Sequence, residues 1–268
     1  MNFIKVKNLN FTYKNNGFKL NNINFEIEKG EIAALIGPNG AGKTTVSKIL
    51  CGIIENFSGV IWVNEKNIKE LSAIEKAKKI SYIPQIFEGL FDYTVEEIIF
   101  MGRRPFSNSI GFFSENDKKI VKDLLIKFNL LEKKDKKFFM LSGGEKRIVL
   151  IARAICQNSD FIILDEPLAY LDILHQIELV NILNELKGNG KTILLVLHDI
   201  NLASEICDKI ILLNNGNIIK SGKINEVLNK NLIKNIYKIN NFKIGKNPVT
   251  NKTNIFIFYK NKTKGGKR

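Results

Sequence analysis

Two short stretches have residue types and spacing that can hold and cut a phosphate chain. Gly37, Pro38, Asn39, Gly40, Ala41, Gly42, Lys43 and Thr44 follow one another as GxxxxGK[ST], after an uninterrupted apolar run at 32–36 and before residues of helical texture. Glycines at these places let the backbone turn tightly enough for successive N–H groups to point at phosphate oxygens, and the following helix adds its positive end. Lys43 then reaches the β and γ phosphates. The Thr44 hydroxyl suits a magnesium ion, which keeps most of its waters and needs only one or two protein oxygens. Thr45 extends the same binding stretch. A Gly-rich turn with an incidental lysine is the competing account, and it leaves the strand before and the helix after unexplained.

The second stretch is Phe161, Ile162, Ile163 and Leu164 leading to Asp165 and Glu166. It delivers two carboxylates to the end of a strand, where α/β sheets place ligand chemistry. Asp165 suits magnesium held through water, and Glu166 suits orienting and polarising the water that attacks the γ phosphate. An acidic pair after a strand is, alone, more simply a helix cap. Beside a phosphate loop, nucleotide hydrolysis accounts for both residues.

A third stretch, Leu141-Ser142-Gly143-Gly144-Glu145, precedes a helical run and makes a second helix N-terminus with bare backbone. Taken alone it reads equally as an anion-binding shape or as a plain capped loop.

These loops need a scaffold. Residues 3–11 alternate loosely and 25–31 read as a strand and turn, so a small β layer opens the chain. The runs at 32–36, 161–164 and 193–197 are uninterrupted and β-rich, the pattern of strands buried on both faces of a parallel sheet. From near Gln85 the texture changes. Stretches 94–101 and 117–128 carry apolar residues at helical spacing, the latter at Ile120, Leu124, Leu125 and Phe128. Beyond Asp172, the positions Leu174, Ile177, Val180, Leu183 and Leu186 mark another helix, which Gly188 and Gly190 end. Strands alternating with helices predict an α/β fold with a parallel sheet. The stretch at 255–259 is expected as a short edge strand.

In order and spacing, these motifs resemble the nucleotide-binding domains of ABC transporters, over about residues 4–239. Tyr13 matches the aromatic residue on which such domains stack adenine. Gln85, in Tyr82-Ile83-Pro84-Gln85, matches the glutamine that links magnesium to the membrane partner. Leu171-Asp172 matches the loop that crosses between subunits, and His198, after the run at 193–197, matches the histidine that touches the γ phosphate. The resemblance implies a P-loop NTPase (RecA-like) core with an N-terminal antiparallel β layer and an α-helical subdomain inserted at about 86–158. It places the nucleotide-binding domain at 3–238 and a basic extension at 239–268. It also implies ATP and Mg²⁺ as cofactors, with Thr44, Gln85 and Asp165 around the ion, and Lys43, Gln85, Glu166 and His198 as the hydrolytic residues. The resemblance further implies that two copies pack head to tail, so that Leu141, Ser142, Gly143, Gly144 and Glu145 of one copy close over the nucleotide of the other and Asp172 lines the seam.

Two places depart from the family pattern. Arg147 and Ile148 stand where Gln and Arg are usual, and Leu168 replaces a small hydroxyl residue. Neither falls on a residue assigned to phosphate or magnesium, so they bear on the packing of the signature helix and the seam. Four local features are similar to importers of ferric siderophores, haem and cobalamin: Gly102-Arg103-Arg104-Pro105, the residues 171–176, the residues 198–203 and Asn247-Pro248-Val249-Thr250. The partners this implies are a second ATPase copy, two membrane-spanning permease subunits and, indirectly, an extracytoplasmic substrate-binding protein. The place it implies is the cytoplasmic face of the cell membrane. The groove between the phosphate-loop core and the helical insertion, bordered by Gln85 and the Thr94 helix, is where the resemblance implies that a membrane subunit docks, and changes at Phe91 or Tyr93 are expected to weaken that coupling. An ABC-type ATPase without a transport task, serving cofactor assembly or ribosomes, is the nearest alternative reading, although ribosome-acting members usually carry two cassettes and one set of motifs is present here.

Composition agrees. The chain has 268 residues, 44% of them hydrophobic, enough for a substantial core, and no stretch nears the roughly 18 uncharged apolar residues that cross a bilayer. Cys51, Cys156 and Cys207 lack metal-ligand spacing and read as small buried apolar residues. The formal charge of +14 raises nucleic acid as a partner, but the basic residues are scattered, no RNA-binding aromatic motif is visible, and no nucleic acid is expected. Lys260, Lys262, Lys264, Lys267 and Arg268 crowd the end, as a solvated tail does.

Overall fold

The computed structural model describes residues 2–14, 17–85, 92–107, 113–169 and 171–258. Phe91, Tyr170, Tyr259 and the terminal basic residues lie outside them. The chain opens with the antiparallel pair β1 (Asn2–Thr12) and β2 (Lys19–Glu28), then enters β3 (Ile32–Ile36) and turns through the phosphate loop into α1 (Lys43–Leu50). The strands β4 (Ser58–Val63) and β5 (Lys66–Asn67) complete a four-stranded antiparallel sheet in the order β2-β1-β4-β5. After α2 (Ala73–Lys79) and β6 (Ile80–Ile83) come the helices α3 (Val95–Phe100), α4 (Glu115–Lys127) and α5 (Gly143–Cys156). The chain then returns to sheet at β7 (Phe161–Asp165), α6 (Ile173–Gly188), β8 (Thr192–Leu197), α7 (Ile200–Ile206), β9 (Lys209–Asn214) and β10 (Asn217–Lys223). Two short helices, α8 (Ile224–Val227) and α9 (Lys230–Tyr237), lead to the hairpin β11 (Phe242–Lys246) and β12 (Thr253–Ile257).

The central sheet runs β10-β9-β3-β8-β7-β6, parallel except for its β10 edge. Because successive side chains of a strand point to opposite faces, its uninterrupted apolar runs feed two cores. Ala33 and Leu35 of β3, Phe161 and Ile163 of β7, and Leu194 and Val196 of β8 join α1 and the N-terminal β layer in one core. Ile32, Ala34 and Ile36, with Ile162, Leu164, Ile193 and Leu195, pack into the other with α3, α4 and α5. This is the mixed α/β arrangement expected, with the helical insertion lying between β6 and β7.

Local signals set the helix starts. At Ser72, Thr94, Ser114 and Ser142 the side-chain oxygen accepts from the N–H three residues on, while Glu75, Glu97, Asp117 and Glu145 reach back to the N-cap N–H, so each of α2, α3, α4 and α5 begins in a capping box. In the insertion, Arg103 is buried, donating from Nε to Asp117 Oδ1 at 2.7 Å and from Nη1 to the Cys156 carbonyl at 2.9 Å. Gly102 lets this turn press on the end of α5, since a Cβ there would stand 2.4 Å from the Arg153 carbonyl oxygen.

Helix α6 forms where the spacing placed it; Leu179 and Leu183 are buried, while Ile173, Leu174 and Ile177 are 75%, 73% and 54% exposed. The helix is apolar on several sides at its start, so periodicity alone could not choose the buried face. The short edge strand expected near the end forms, outside both larger sheets. It spans Thr253–Ile257 and pairs with Phe242–Lys246 in a two-stranded sheet of its own. That hairpin is pinned to α7, where Asn201 exchanges hydrogen bonds with the Ile255 backbone at 2.9 and 2.7 Å and the Glu205 carboxylate accepts from Asn247, Thr250 and Asn254 at 2.8 to 2.9 Å.

Candidate functional site

The C-terminal ends of β3, β7 and β8 open onto a cleft of about 810 Å³. Asn39, Gly40, Gly42, Lys43, Thr44 and Thr45 line it from the loop and first turn after β3. Tyr13 and Phe18, whose rings lie 6.4 Å apart, line it from the β layer, and Gln85, Glu166 and His198 line it from the other loops. Gly37, Pro38 and Ala41 shape the loop from behind: Gly37 has φ 156°, and a Cβ on it would stand 2.0 Å from the Leu213 carbonyl oxygen. Gly42, at φ 107°, is the N-cap of α1, and a Cβ there would stand 2.5 Å from Phe18 Cζ. The α1 N-terminus has no side-chain cap bond and no acidic residue in its first turn. Its N–H groups and dipole are therefore offered to an anion. Lys43 is buried and donates to the Gly37 and Pro38 carbonyls at 2.8 and 3.0 Å. Burial lowers its pKa, against the pull of Glu166 and Asp165, which favours the ammonium.

Asp165 is fully buried at the end of β7, with Tyr82 Oη 3.5 Å from Oδ2. Burial raises its pKa, and a hydrogen bond from Thr44 opposes that rise. Its Oδ1 has no hydrogen-bond partner among the described residues. An orphaned buried carboxylate oxygen beside a threonine hydroxyl is the oxygen-rich setting that a hard divalent cation satisfies, so the residues fit magnesium. Glu166 sits at φ 50°, its N–H bonded to the Val196 carbonyl at 3.0 Å. Its Oε2 accepts from Gln85 Nε2 at 2.8 Å, and its Oε1 contacts His198 Nε2. One carboxylate thus joins the loop after β6 to the loop after β8, at the mouth of the phosphate loop.

Leu141, Ser142, Gly143, Gly144, Glu145 and Asp172 do not line that cleft. Leu141 is buried, and Ser142 and Glu145 cap α5 reciprocally. Glu145 Oε1 also pairs with Lys133 Nζ at 2.7 Å. The Lys133 hydrogen bond, with help from the Ser142 N–H, holds the Glu145 pKa down to about 2. Asp172 is exposed and N-caps α6, accepting from the His175 N–H at 2.9 Å and meeting its ring Nδ1 at 2.8 Å. Hydrogen bonding to His175 lowers its pKa.

One departure from the family pattern reaches the site after all. Arg147 is buried and donates to the main-chain carbonyls of Pro84, Asp165 and Pro167, so it touches the backbone of the residue assigned to magnesium. Leu168 is also buried, in the core beside Leu171. Sequence reasoning missed Phe18 and the contact of Tyr82 with Asp165. An aromatic five residues after Tyr13, across a turn, was the signal available for Phe18.

Comparisons with known proteins follow the same lines. The sequence profile of the ABC transporter family matches residues 20–169. The iron(3+)-hydroxamate import ATP-binding protein FhuC of Bacillus subtilis is 35% identical over 253 residues, covering 94% of this chain and 93% of that protein. The petrobactin import ATP-binding protein YclP of the same organism is 38% identical over 212 residues, covering 79% and 83%. Among solved structures, a metal-chelate type ABC transporter in an inward-facing conformation superposes with a TM-score of 0.82 at 28% identity, over 97% of this chain and 99% of that one. The ATP-binding cassette MJ0796, in a dimeric post-hydrolysis state with ADP and Pi, superposes at 0.73 with 29% identity, over 82% and 98%.

Proposed function

The chain belongs to the ABC transporter family, as an ATP-binding and ATP-hydrolysing importer subunit, and from that premise we propose how its residues divide the work and what it serves. Tyr13 stacks on adenine, with Phe18 beside it. The N–H groups of residues 37–45 and the Lys43 ammonium hold the phosphates, and Thr45 belongs to the same cradle. Glu166 orients and polarises the attacking water, with Gln85 and His198 fixing its carboxylate from either side and His198 reaching the γ phosphate. Thr44, Asp165 and Gln85 are the residues that would hold Mg²⁺, which when bound offsets phosphate charge. The observation that carries this reading is the convergence of Gln85, Glu166 and His198 from three loops on the mouth of one phosphate loop.

The signature residues, absent from the cleft of their own chain, act on the nucleotide of a second copy, with fixed donors aimed at the charge that develops on the γ phosphate. Exposed Ile173, Leu174 and Ile177 beside Asp172 give the seam between copies its apolar contact. A helix of a membrane subunit docks in the groove between the phosphate-loop core and the helical insertion, bordered by Gln85 and the helix that Thr94 caps, with the chain on the cytoplasmic face of the membrane. Two permease subunits and an extracytoplasmic binding protein complete the system. No helix among the described residues is long and apolar enough to cross a membrane. The cargo is a ferric siderophore or similar metal chelate, as with the iron-hydroxamate and petrobactin relatives. Vesicles carrying the permease pair that copurifies with this chain test the reading. ATP-driven uptake of ferric hydroxamate is expected, and Glu166→Gln should abolish it while ATP still binds. Uptake that survives Glu166→Gln contradicts the assignment of the water-orienting carboxylate.

A further inference from the structure

Arg147 lies early in α5 and is 6% exposed. A guanidinium keeps its charge and carries five N–H donors in a rigid planar fork, so burying one is costly unless acceptors are arranged around it. Among the described residues the acceptors are all main-chain carbonyls. Nη1 donates to Pro84 at 2.7 Å, Nη2 to Asp165 at 2.5 Å and Nε to Pro167 at 3.2 Å. Pro84 immediately precedes Gln85, and Asp165 and Pro167 flank Glu166 on either side. The two residues so framed hydrogen-bond each other, Gln85 Nε2 to Glu166 Oε2 at 2.8 Å. A packing role would not require these donors: neighbouring Ile148 fills its own buried place with apolar surface alone.

The Glu166 backbone needs such a hold. Its φ of 50° lies in the left-handed region, which is unfavourable for a non-glycine residue and persists only where surrounding contacts over-determine it. The Val196 carbonyl fixes its N–H, and Arg147 fixes the carbonyls before and after it. Arg147 stands five residues after the Ser142 cap, about 7.5 Å along a helix that rises 1.5 Å per residue.

We propose that Arg147 is a positioning residue for ATP hydrolysis: its guanidinium fixes the Gln85 and Glu166 backbones in register and ties them to α5, so that displacement of the Ser142 end of that helix is felt by the hydrolytic carboxylate of the same chain. The proposal rests on the ATPase reading above. Arg147 does not line the cleft, and acts through Gln85 and Glu166.

The test uses the full chain, with steady-state ATP turnover and binding of a fluorescent ATP analogue measured for the wild type, Lys43→Ala, Arg147→Met and Arg147→Lys. Misplacing a reacting group by about 1 Å costs roughly 10²-fold, so Arg147→Met should lower kcat about 10²-fold while KM and analogue affinity stay within about twofold. Arg147→Lys, with its charge and some donors retained, should recover to about tenfold below wild type. In a Gln85→Ala background, Arg147→Met should cost less than about threefold more, because both changes act on one pair; a merely structural effect would multiply in full. Multiplication in full, wild-type kcat in Arg147→Met, or a loss carried by KM overturns the proposal. Should Arg147→Met fail to fold, Arg147→Lys decides: lowered kcat at unchanged KM supports the role, and wild-type kcat refutes it. If the wild type shows no turnover that Lys43→Ala removes, the ATPase reading is wrong and the positioning role falls with it.

Discussion

The two glycine-rich helix starts, at α1 and at α5, are built from similar residues and left in opposite states. The α1 N-terminus has Gly42 as its cap, no side-chain cap bond and a lysine at its first position. The α5 N-terminus is closed by its own chain, with Ser142 and Glu145 exchanging cap bonds and Lys133 neutralising the glutamate. The first is open to phosphate within its own cleft. The second is self-satisfied in the single chain, and under the proposed pairing of copies its Ser142 hydroxyl and glycine backbone serve the nucleotide of another molecule. On that proposal, the difference separates what one copy does alone from what two do together.

The largest way to break the comparison is at the open end. Lys43→Ala removes the one ammonium of the phosphate loop and should lower ATP turnover by at least ~10² to 10³, the range for deleting a donor aimed at transition-state charge. Turnover within tenfold of wild type would mean that the loop does not act as assigned. At the closed end, Ser142→Ala sharpens the contrast because two effects separate. Loss of a cap alone costs about 1 kcal/mol of stability, read as a shift in Tm. A trans role adds a turnover loss of roughly 10- to 100-fold at temperatures well below Tm. A Tm shift without that loss would leave Ser142 as a cap only.

The smallest effect is electrostatic. The Glu145 pKa is about 2 in the folded chain against an ordinary 4.5, lowered first by Lys133. A depressed carboxylate stabilises the fold fully above the unfolded value, and that stability fades as pH falls from about 4.5 toward about 2. Urea midpoints for wild type and Glu145→Gln should therefore differ at pH 6 and converge by about pH 3 to 2. A constant difference across that window would mean that the Lys133 and Ser142 contacts do not stabilise the charge.

Legibility in the sequence followed contiguity. The phosphate loop could be read because its eight residues are adjacent and bracketed by a strand and a helix. Asp165 and Glu166 were legible because four apolar residues lead straight to them. The link from Arg147 was not, because its acceptors are carbonyls 63, 18 and 20 residues away and a carbonyl leaves no mark in a residue's identity. The arginine showed only as an oddity beside a motif. The hairpin on α7 was hidden for a similar reason, since Asn201 and Glu205 meet partners 42 to 54 residues later, all of ordinary polar type. The buried face of α6 was not legible, because α6 carries apolar residues on more than one side and only the packed molecule shows which side Leu179 and Leu183 take.

The claim that each copy completes its neighbour's pocket is tested most directly by the molar mass of the Glu166→Gln chain in solution with Mg²⁺ and ATP. Light scattering should give twice the chain mass with ATP and the single-chain mass without it, and adding Ser142→Arg should return the ATP-loaded sample to the single-chain mass. A Glu166→Gln chain that binds ATP and stays at the mass of one copy, or a dimer indifferent to the change at Ser142, would contradict the account.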